Sequence, residues 1–339
     1  MILIDAVYIN SFGGKTILEL FVTKILKLNV EYYFLLDNRL KSKLARNIKT
    51  DNFILIDATH SNRKSFYLKN INRFSSILCL ANIPPPIQTS IKTTIFFHNS
   101  LLLNPLSHPI SFKSRVINFF KFNYIKFYNQ NDYNWIVQTE LINKLLQENL
   151  MINSDQVSIH PIIEEEYVLP NSNKIINDFV YVSSGVSHKN HIRLIKAFIE
   201  VANKTDIEIK LHLTLNKEEL PKYIYPRNLK VEFHGTLSID AVNELYNSCE
   251  FAIYPSLVES FGLPLIEASN HNCKVIASDL PYAHEIIIPS LTFDPYSVES
   301  ISKSILKAIE TDNLPETKVL VENKLDNFID FIISQDVQK

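Results

Sequence analysis

The sequence predicts an α/β protein made of two doubly wound units, and three observations lead there. Short apolar, β-branched or aromatic runs alternate with segments of helical spacing along most of the chain. The runs are apolar throughout instead of alternating, as in strands of a parallel sheet covered on both faces. At 339 residues the chain exceeds what one core usually supports, and the polar stretch EEEYVLPNSNKIIND (164–178) divides two such series.

In the first series, ILIDAVYI (2–9), the helically spaced ILELFVTKILKL (17–28) and EYYFLLD (31–37) make a strand–helix–strand unit. NFILID, SSILCL, TTIFFH and NWIVQT add strands, and VSIHP follows the helix-like LINKLLQENL. The second series runs FVYVS, the helix-like HIRLIKAFIEVAN, EIKLHLTL, KVEFHG, the helix AVNELYNSC, FAIYPS, the helix PLIEASNH, KVIASD and LTFDP. Apolar residues at helical spacing over 319–334 predict a terminal helix that packs back on the N-terminal domain. The expected organisation is a Rossmann-like domain over 1–165, a linker over 166–178 and a second Rossmann-like domain over 179–339. Two such units set a cleft between the carboxyl ends of two sheets, where ligands of open α/β sheets bind.

Apolar residues make up 46% and charged residues 21%, which fits a globular chain with a sizeable core. Cys79, Cys249 and Cys273 lie far apart without a CxxC pair, which speaks against a disulfide framework and suits a reducing cytoplasm. Histidines such as His160 and His234 have no acidic or cysteine partner at ligand spacing in the sequence, and no DxD-like pair follows a strand. No metal site is therefore expected. No apolar run approaches the ~18 residues of a membrane-spanning helix, and residues 2–9 are too short and carry Asp5, unlike a secretory leader. A cytoplasmic location is expected. The net charge of −2 hides a positive first half and a negative second half, so the first half is the better candidate for an anionic partner. With a pI near 6.6, a nucleic-acid partner is not expected.

The stretch INSFGGKTILEL (9–20) has the tail of a phosphate loop, Gly13-Gly14-Lys15-Thr16. The ATP-binding pattern G-x-x-x-x-G-K-[ST] needs a glycine five residues before Gly14, and that residue is Ile9. What stays open is a different phosphate site or a plain strand-to-helix turn, with Lys15 as a solvated helix-start residue.

The segment with the most chemistry is FAIYPSLVESFGLPLIEASNHNCKVIASDLPYAHE (251–285). A strand ends at Tyr254 and a helix begins near Pro264, proline being well tolerated in a first turn. The loop Glu259-Ser260-Phe261-Gly262-Leu263 thus brings backbone N–H groups and the positive end of a helix to the strand ends, a site for an anion or a hydroxyl-rich ligand. Glu259 and Glu267 stand eight residues apart, and each carboxylate can bind a pair of vicinal hydroxyls such as sugars offer.

This segment resembles the retaining GT-B glycosyltransferases of family 4 type, whose signature is a Glu-x7-Glu element of the form E-S/G-F-G-L-P-x-x-E-A. Here it stands as Glu259-Ser260-Phe261-Gly262-Leu263-Pro264-Leu265-Ile266-Glu267-Ala268. FVYVSSGVSHKNHIRLIKAF, VEFHGTLSIDAVNELYNSCEFAIYPS and DLPYAHEII…LTFDP extend the likeness over about residues 179–310. The resemblance implies that Glu267 holds the donor's ribose and Glu259 the transferred sugar. Ser260 and the N–H groups of Phe261, Gly262 and Leu263 would contribute to donor binding, and Lys189, beside Asn190, would neutralise the donor diphosphate. An arginine that family members often carry before that lysine falls here on Ser184. In the first half, Gly13 and Gly14 resemble the family's glycine loop, and His98 matches a histidine beside the reacting sugar that orients a hydroxyl.

The implied function is transfer of a sugar from a nucleotide-diphosphate donor to a glycan or lipid-linked acceptor, in bacterial surface polysaccharide assembly, with no metal or other cofactor. A nucleotide-sugar epimerase of the same fold would want acid–base residues on both sides of the sugar, and no such set is seen. A catalytically silent sugar-nucleotide-binding subunit is the other alternative. Both glutamates and Lys189 speak against it, and Ser184 speaks for it. Finally, FKSRVINFFKFNYIKFY (112–128) interleaves Lys113, Arg115, Lys121 and Lys126 with seven aromatics. It reads either as an interfacial segment resting on the inner face of the cytoplasmic membrane or as a buried amphipathic helix.

Overall fold

The computed structural model describes residues 1–10, 12–40, 48, 50–106, 108–164 and 174–337. It divides into two compact units, one of residues 1–106, 116–164 and 322–339, the other of 107–115 and 165–321. Two short segments thus group differently from their place in the chain: 107–115 with the second unit and 322–339 with the first. Of the expected linker, 166–173 lies outside the described residues, and the first strand of the second unit, Ile175–Tyr181, already begins within it.

In the first unit, β1 (Ile2–Ala6), β2 (Tyr32–Asp37), β3 (Phe53–Ile56), β4 (Ser76–Cys79), β5 (Lys92–Phe96), β6 (Asn134–Val137) and β7 (Val157–Ile159) form one sheet in the order β3-β2-β1-β4-β5-β6-β7. Every pairing is parallel. The reason β1 reads as an unbroken apolar run is visible in its packing. Ile2, Ile4 and Ala6 enter the core that holds Phe34 and Leu78, while Leu3 and Val7 enter the one that holds Leu35 and Trp135. A strand buried on both faces has no polar side to show.

The first of those cores is completed by the terminal helix Leu325–Val337, which supplies Leu325, Phe328, Ile329 and Ile332. The Phe328 ring lies 5.4 Å from that of Phe21 and 5.3 Å from that of Phe96. The second core covers a buried ion pair. Arg63, on the helix His60–Asn70, places Nε 2.8 Å from Asp5 Oδ2, both side chains being 1% exposed. Tyr67 donates to the same oxygen at 2.6 Å, and Arg63 Nη1 donates to the Pro84 carbonyl at 2.8 Å.

Residues 112–128 form one helix, Phe112–Tyr128, in which Ile125 is buried and Phe112, Phe120 and Phe127 are 81%, 68% and 78% exposed. The buried-helix reading of this segment does not hold. Among the described residues, no helix is long and apolar enough to cross a membrane.

In the second unit, β8 (Ile175–Tyr181), β9 (Ile209–Leu213), β10 (Leu229–Phe233), β11 (Cys249–Tyr254), β12 (Lys274–Ser278) and β14 (Leu291–Phe293) form a parallel sheet in the order β10-β9-β8-β11-β12-β14. A short antiparallel pair, β13 (Ile287–Ile288) with β15 (Lys318–Val319), stands beside it. Phe179 on β8 anchors the core, 5.1 Å from Phe198 and 4.8 Å from Phe251. The fold class is the expected one. In both sheets the order reverses beside the first strand, between β1 and β4 and between β8 and β11, and the carboxyl ends of strands at such a switch point are where open α/β sheets take ligands.

Candidate functional site

At the switch point of the second unit, the loops after β8 and β11 are cross-braced. The Leu257 N–H donates to the His188 carbonyl at 2.8 Å. The Tyr181 hydroxyl, on β8, donates to the Lys189 carbonyl at 2.9 Å and stands 2.9 Å from Ser256 Oγ, while Tyr282 donates to the Ser256 carbonyl at 2.9 Å. These ties bring together two residues 70 apart in sequence. Lys189 Nζ lies 2.6 Å from Glu259 Oε1, and each side chain is 16% exposed. Asn190, expected among the donor ligands, has a holding role here. Its Nδ2 donates to the Pro255 and Pro295 carbonyls at 3.0 and 2.7 Å, and its Oδ1 accepts from Arg193 at 2.9 Å. Its backbone is left-handed at φ 62°, a conformation asparagine tolerates better than most residues.

The loop after β11 closes at Gly262, which precedes the helix Leu263–Asn270 with φ +89°. Phe261 is buried. The first N–H groups of a helix have no partner within it, and Pro264 in the first turn removes one of them. Tyr254, at the end of β11, braces this start by donating to the Pro264 carbonyl at 3.0 Å. Glu267 lies one turn in. Burial raises the Tyr254 and Tyr246 phenols, and the Glu267 carboxylate adds to that, so both stay neutral donors. A methyl group at Gly262 would meet Leu265 Cδ1 at 3.1 Å on a backbone that side chains rarely adopt. Gly262→Ala is expected to cost about 1–2 kcal/mol, read by urea denaturation.

At the switch point of the first unit, Gly13 and Gly14 are not in a loop. They occupy the first turn of the helix Phe12–Ile25, without positive φ. A methyl group at Gly13 would meet nothing within 4 Å, and one at Gly14 would lie 3.6 Å from His98 Nε2. The backbone does not require glycine here, and the two residues leave bare space at the start of the helix. Lys15 pairs with Glu19 at 3.7 Å on the exposed face. His98 follows β5 and is set by Asn82, whose Oδ1 accepts the His98 backbone N–H at 2.6 Å while its Nδ2 stands 3.3 Å from His98 Nε2. An amide donating to Nε2 leaves the ring proton on Nδ1, a buried atom with no hydrogen-bond partner among the described residues. Burial pushes the His98 imidazole down to about 4, so it is neutral near pH 7.

The family model described as "Glycosyl transferases group 1" matches residues 165–324. Residues 165–324, a little under half of the chain, are thus similar to the group 1 glycosyl transferases. The "O-antigen chain mannosyltransferase RfbU" of Salmonella typhimurium is 31% identical over 143 residues, 40% of this chain and 38% of that protein. The "Serotype-specific mannosyltransferase WbdA" of Escherichia coli is 35% identical over 78 residues, 23% of this chain and 10% of that protein. The matches thus span well under half the length of these relatives. Among solved structures, a glycosyltransferase from Rickettsia africae ESF-5 aligns over 100% of this chain and 99% of its own with a TM-score of 0.65 and 15% identity. WaaG, "a glycosyltransferase involved in lipopolysaccharide biosynthesis", aligns over 92% of this chain and 91% of its own with a TM-score of 0.69 and 14% identity. At such identities the likeness shows a shared fold, that of the GT-B glycosyltransferases.

In the C-terminal half, three supports of the site escaped sequence reasoning: Tyr181, Ser256 and Tyr282 look like ordinary core or loop residues until the loops are seen together. In the other half Asn82 was missed, although an asparagine two residues past the strand SSILCL and just before a proline run was a signal of a special turn. A pH dependence follows from His191, which opens the helix His191–Ala202 and is 3% exposed. Burial pushes its imidazole from 6.5 down to about 4, against the backing of the Ser184 carbonyl. Such a base takes up a proton on unfolding, so its contribution is full above about 6.5 and is lost as pH falls towards about 4. Stability is expected to drop by roughly 3 kcal/mol from this group at the acid end, and His191→Gln should flatten the pH profile in urea denaturation.

Proposed function

We propose that the chain is a retaining glycosyltransferase that moves a sugar from a nucleotide-diphosphate donor to a glycan or lipid-linked acceptor in bacterial surface polysaccharide assembly. The observation that carries this reading is the Lys189–Glu259 pair at the carboxyl ends of β8 and β11, beside the helix start that leads to Glu267. The relatives named as mannosyltransferases support mannose as the first donor sugar to try.

When the bond between sugar and diphosphate breaks, charge builds on the leaving diphosphate. A fixed ammonium and the N–H groups of a helix start, aimed at that charge, lower the barrier. In the free chain Glu259 neutralises Lys189. The donor diphosphate takes Glu259's place on the ammonium, and the released carboxylate turns to the sugar hydroxyls. Glu267 holds the ribose, while Ser260 and the N–H groups of Phe261, Gly262 and Leu263 contact donor oxygens. For the first unit, Gly13 and Gly14 are proposed to leave room for substrate, and the neutral His98 to orient a hydroxyl. The step as proposed uses no metal, and no general base is assigned.

Purified protein incubated with a panel of nucleotide sugars and acceptors should release nucleoside diphosphate, with the product's anomeric configuration read by NMR. An inverted product would overturn the retaining mechanism. Thermal stabilisation by a donor without turnover on any acceptor would point to the silent binding subunit instead.

The helix Phe112–Tyr128 is proposed as a peripheral membrane contact, because its exposed phenylalanines stand among Lys113, Lys121 and Lys126. The chain is expected to float with anionic vesicles and not with neutral ones, and changing the three lysines to glutamate should abolish flotation. Equal recovery with both vesicle types, or no effect of the substitutions, would refute the contact.

A further inference from the structure

A second cluster, unconnected with sugar transfer, lies on one face of the second sheet. His212 on β9 and Glu232 on β10 are paired neighbours in the parallel register, and His234 follows one residue past the end of β10. Even-numbered residues of adjacent strands share a face, so the three side chains converge although 22 residues separate the histidines. His212 Nδ1 is 2.9 Å from His234 Nε2 and 3.4 Å from Glu232 Oε2, and His234 Nε2 is 3.9 Å from that same oxygen. Ligand atoms about 2.0–2.2 Å from a tetrahedral ion stand roughly 3.3 Å from one another, and the three separations here bracket that value.

The surroundings orient two of the three donors. Asp178 Oδ2 lies 3.3 Å from His212 Nε2 and accepts its proton, which leaves the lone pair of His212 on Nδ1, towards the cluster. A carboxylate behind a histidine is the usual outer support of a metal-bound imidazole. Lys230 and Lys210 hold Glu232 by its other oxygen, Oε1, at 2.7 and 3.4 Å, so Oε2 faces the imidazoles. The His234 and Glu232 side chains are 25% and 29% exposed, which gives an ion a way in, water a fourth position and the His234 ring room to turn its lone pair inward.

We propose that His212, Glu232 and His234 bind one divalent transition-metal ion, of the zinc, cobalt or nickel type, which ties edge strand β10 to β9. Two nitrogen donors and one oxygen favour these ions over magnesium or calcium, which prefer all-oxygen sets. Asp178, His212 and Cys249 also lie within ligand distance of one another, but all three are buried.

The test is titration of the metal-free full chain with cobalt(II) chloride, followed by visible absorption, and with zinc chloride, followed by thermal melting. One cobalt per chain with a four-coordinate spectrum is expected, displaced by zinc, which should raise Tm by several degrees. His234→Gln and, separately, Glu232→Gln should each lose the spectrum and the zinc shift while the metal-free chain melts as a folded protein. The proposal is overturned if no four-coordinate spectrum appears or if both variants keep it. It is also overturned if magnesium gives the same shift as zinc, or if a thiolate charge-transfer band vanishes in Cys249→Ser, which would place the ion on the buried group instead.

Discussion

Lys189→Ala should lower kcat/KM for the donor by about 10²–10³-fold, the usual result of removing one fixed donor from a developing charge. The variant has a second effect that a merely solvated lysine would not produce. Lys189 and Glu259 sit 2.6 Å apart with 16% of each side chain exposed, so deleting the ammonium leaves a largely enclosed carboxylate without its partner. A stability loss on the order of 1–2 kcal/mol is expected, below that of a fully enclosed pair because water still reaches the site. The double variant Lys189→Ala/Glu259→Gln should regain that stability and none of the activity. Steady-state kinetics with urea denaturation on the three proteins checks both parts, and an unchanged kcat/KM in Lys189→Ala would rule out the diphosphate role.

The largest effect on stability is expected at the other buried pair. Arg63→Ala removes the only cation bonded to Asp5 among the described contacts and leaves that carboxylate 1% exposed, with Tyr67 and the Val7 N–H as its remaining donors. Breaking such a pair costs about 3–5 kcal/mol, a large share of the stability of an ordinary domain. Replacing both members, Arg63→Met with Asp5→Leu, should cost much less than Arg63→Ala alone, since no charge is then stranded. Urea midpoints of the single and double variants decide this, and a loss under ~1 kcal/mol for Arg63→Ala would show that the ion pair is not what holds this part of the core.

The sequence carried the sheet well because β1, β2, β11 and the Phe179–Tyr181 part of β8 are buried on both faces, and unbroken apolar runs are what such burial demands. It carried the Glu259–Glu267 loop for a similar reason: Gly262 and Pro264 are punctuation that a left-handed turn and a helix's first turn require. It did worse where the physics is non-local. Asn190 sits in a motif beside Lys189, but only the fold shows that its amide is engaged by carbonyls 65 and 105 residues away. Gly13-Gly14 looked like a loop because glycine disfavours helix interiors, yet a first turn tolerates it. His234 looked isolated because His212 lies on the neighbouring strand, and in a parallel sheet neighbours in space are tens of residues apart in the chain.

The return of residues 322–339 to the first unit has a consequence for how the chain comes into being. During synthesis, the apolar stripe that includes Phe21 and Phe96 leaves the ribosome long before Phe328 does. At ~5–20 residues per second the wait is roughly 10–60 s. The second unit has all its strands by Val319 and can close first, so the half begun first is finished last. In that interval the exposed stripe is a target for chaperones and a site for misassembly. Removing the final helix by early termination would leave the nascent chain in that unfinished state permanently.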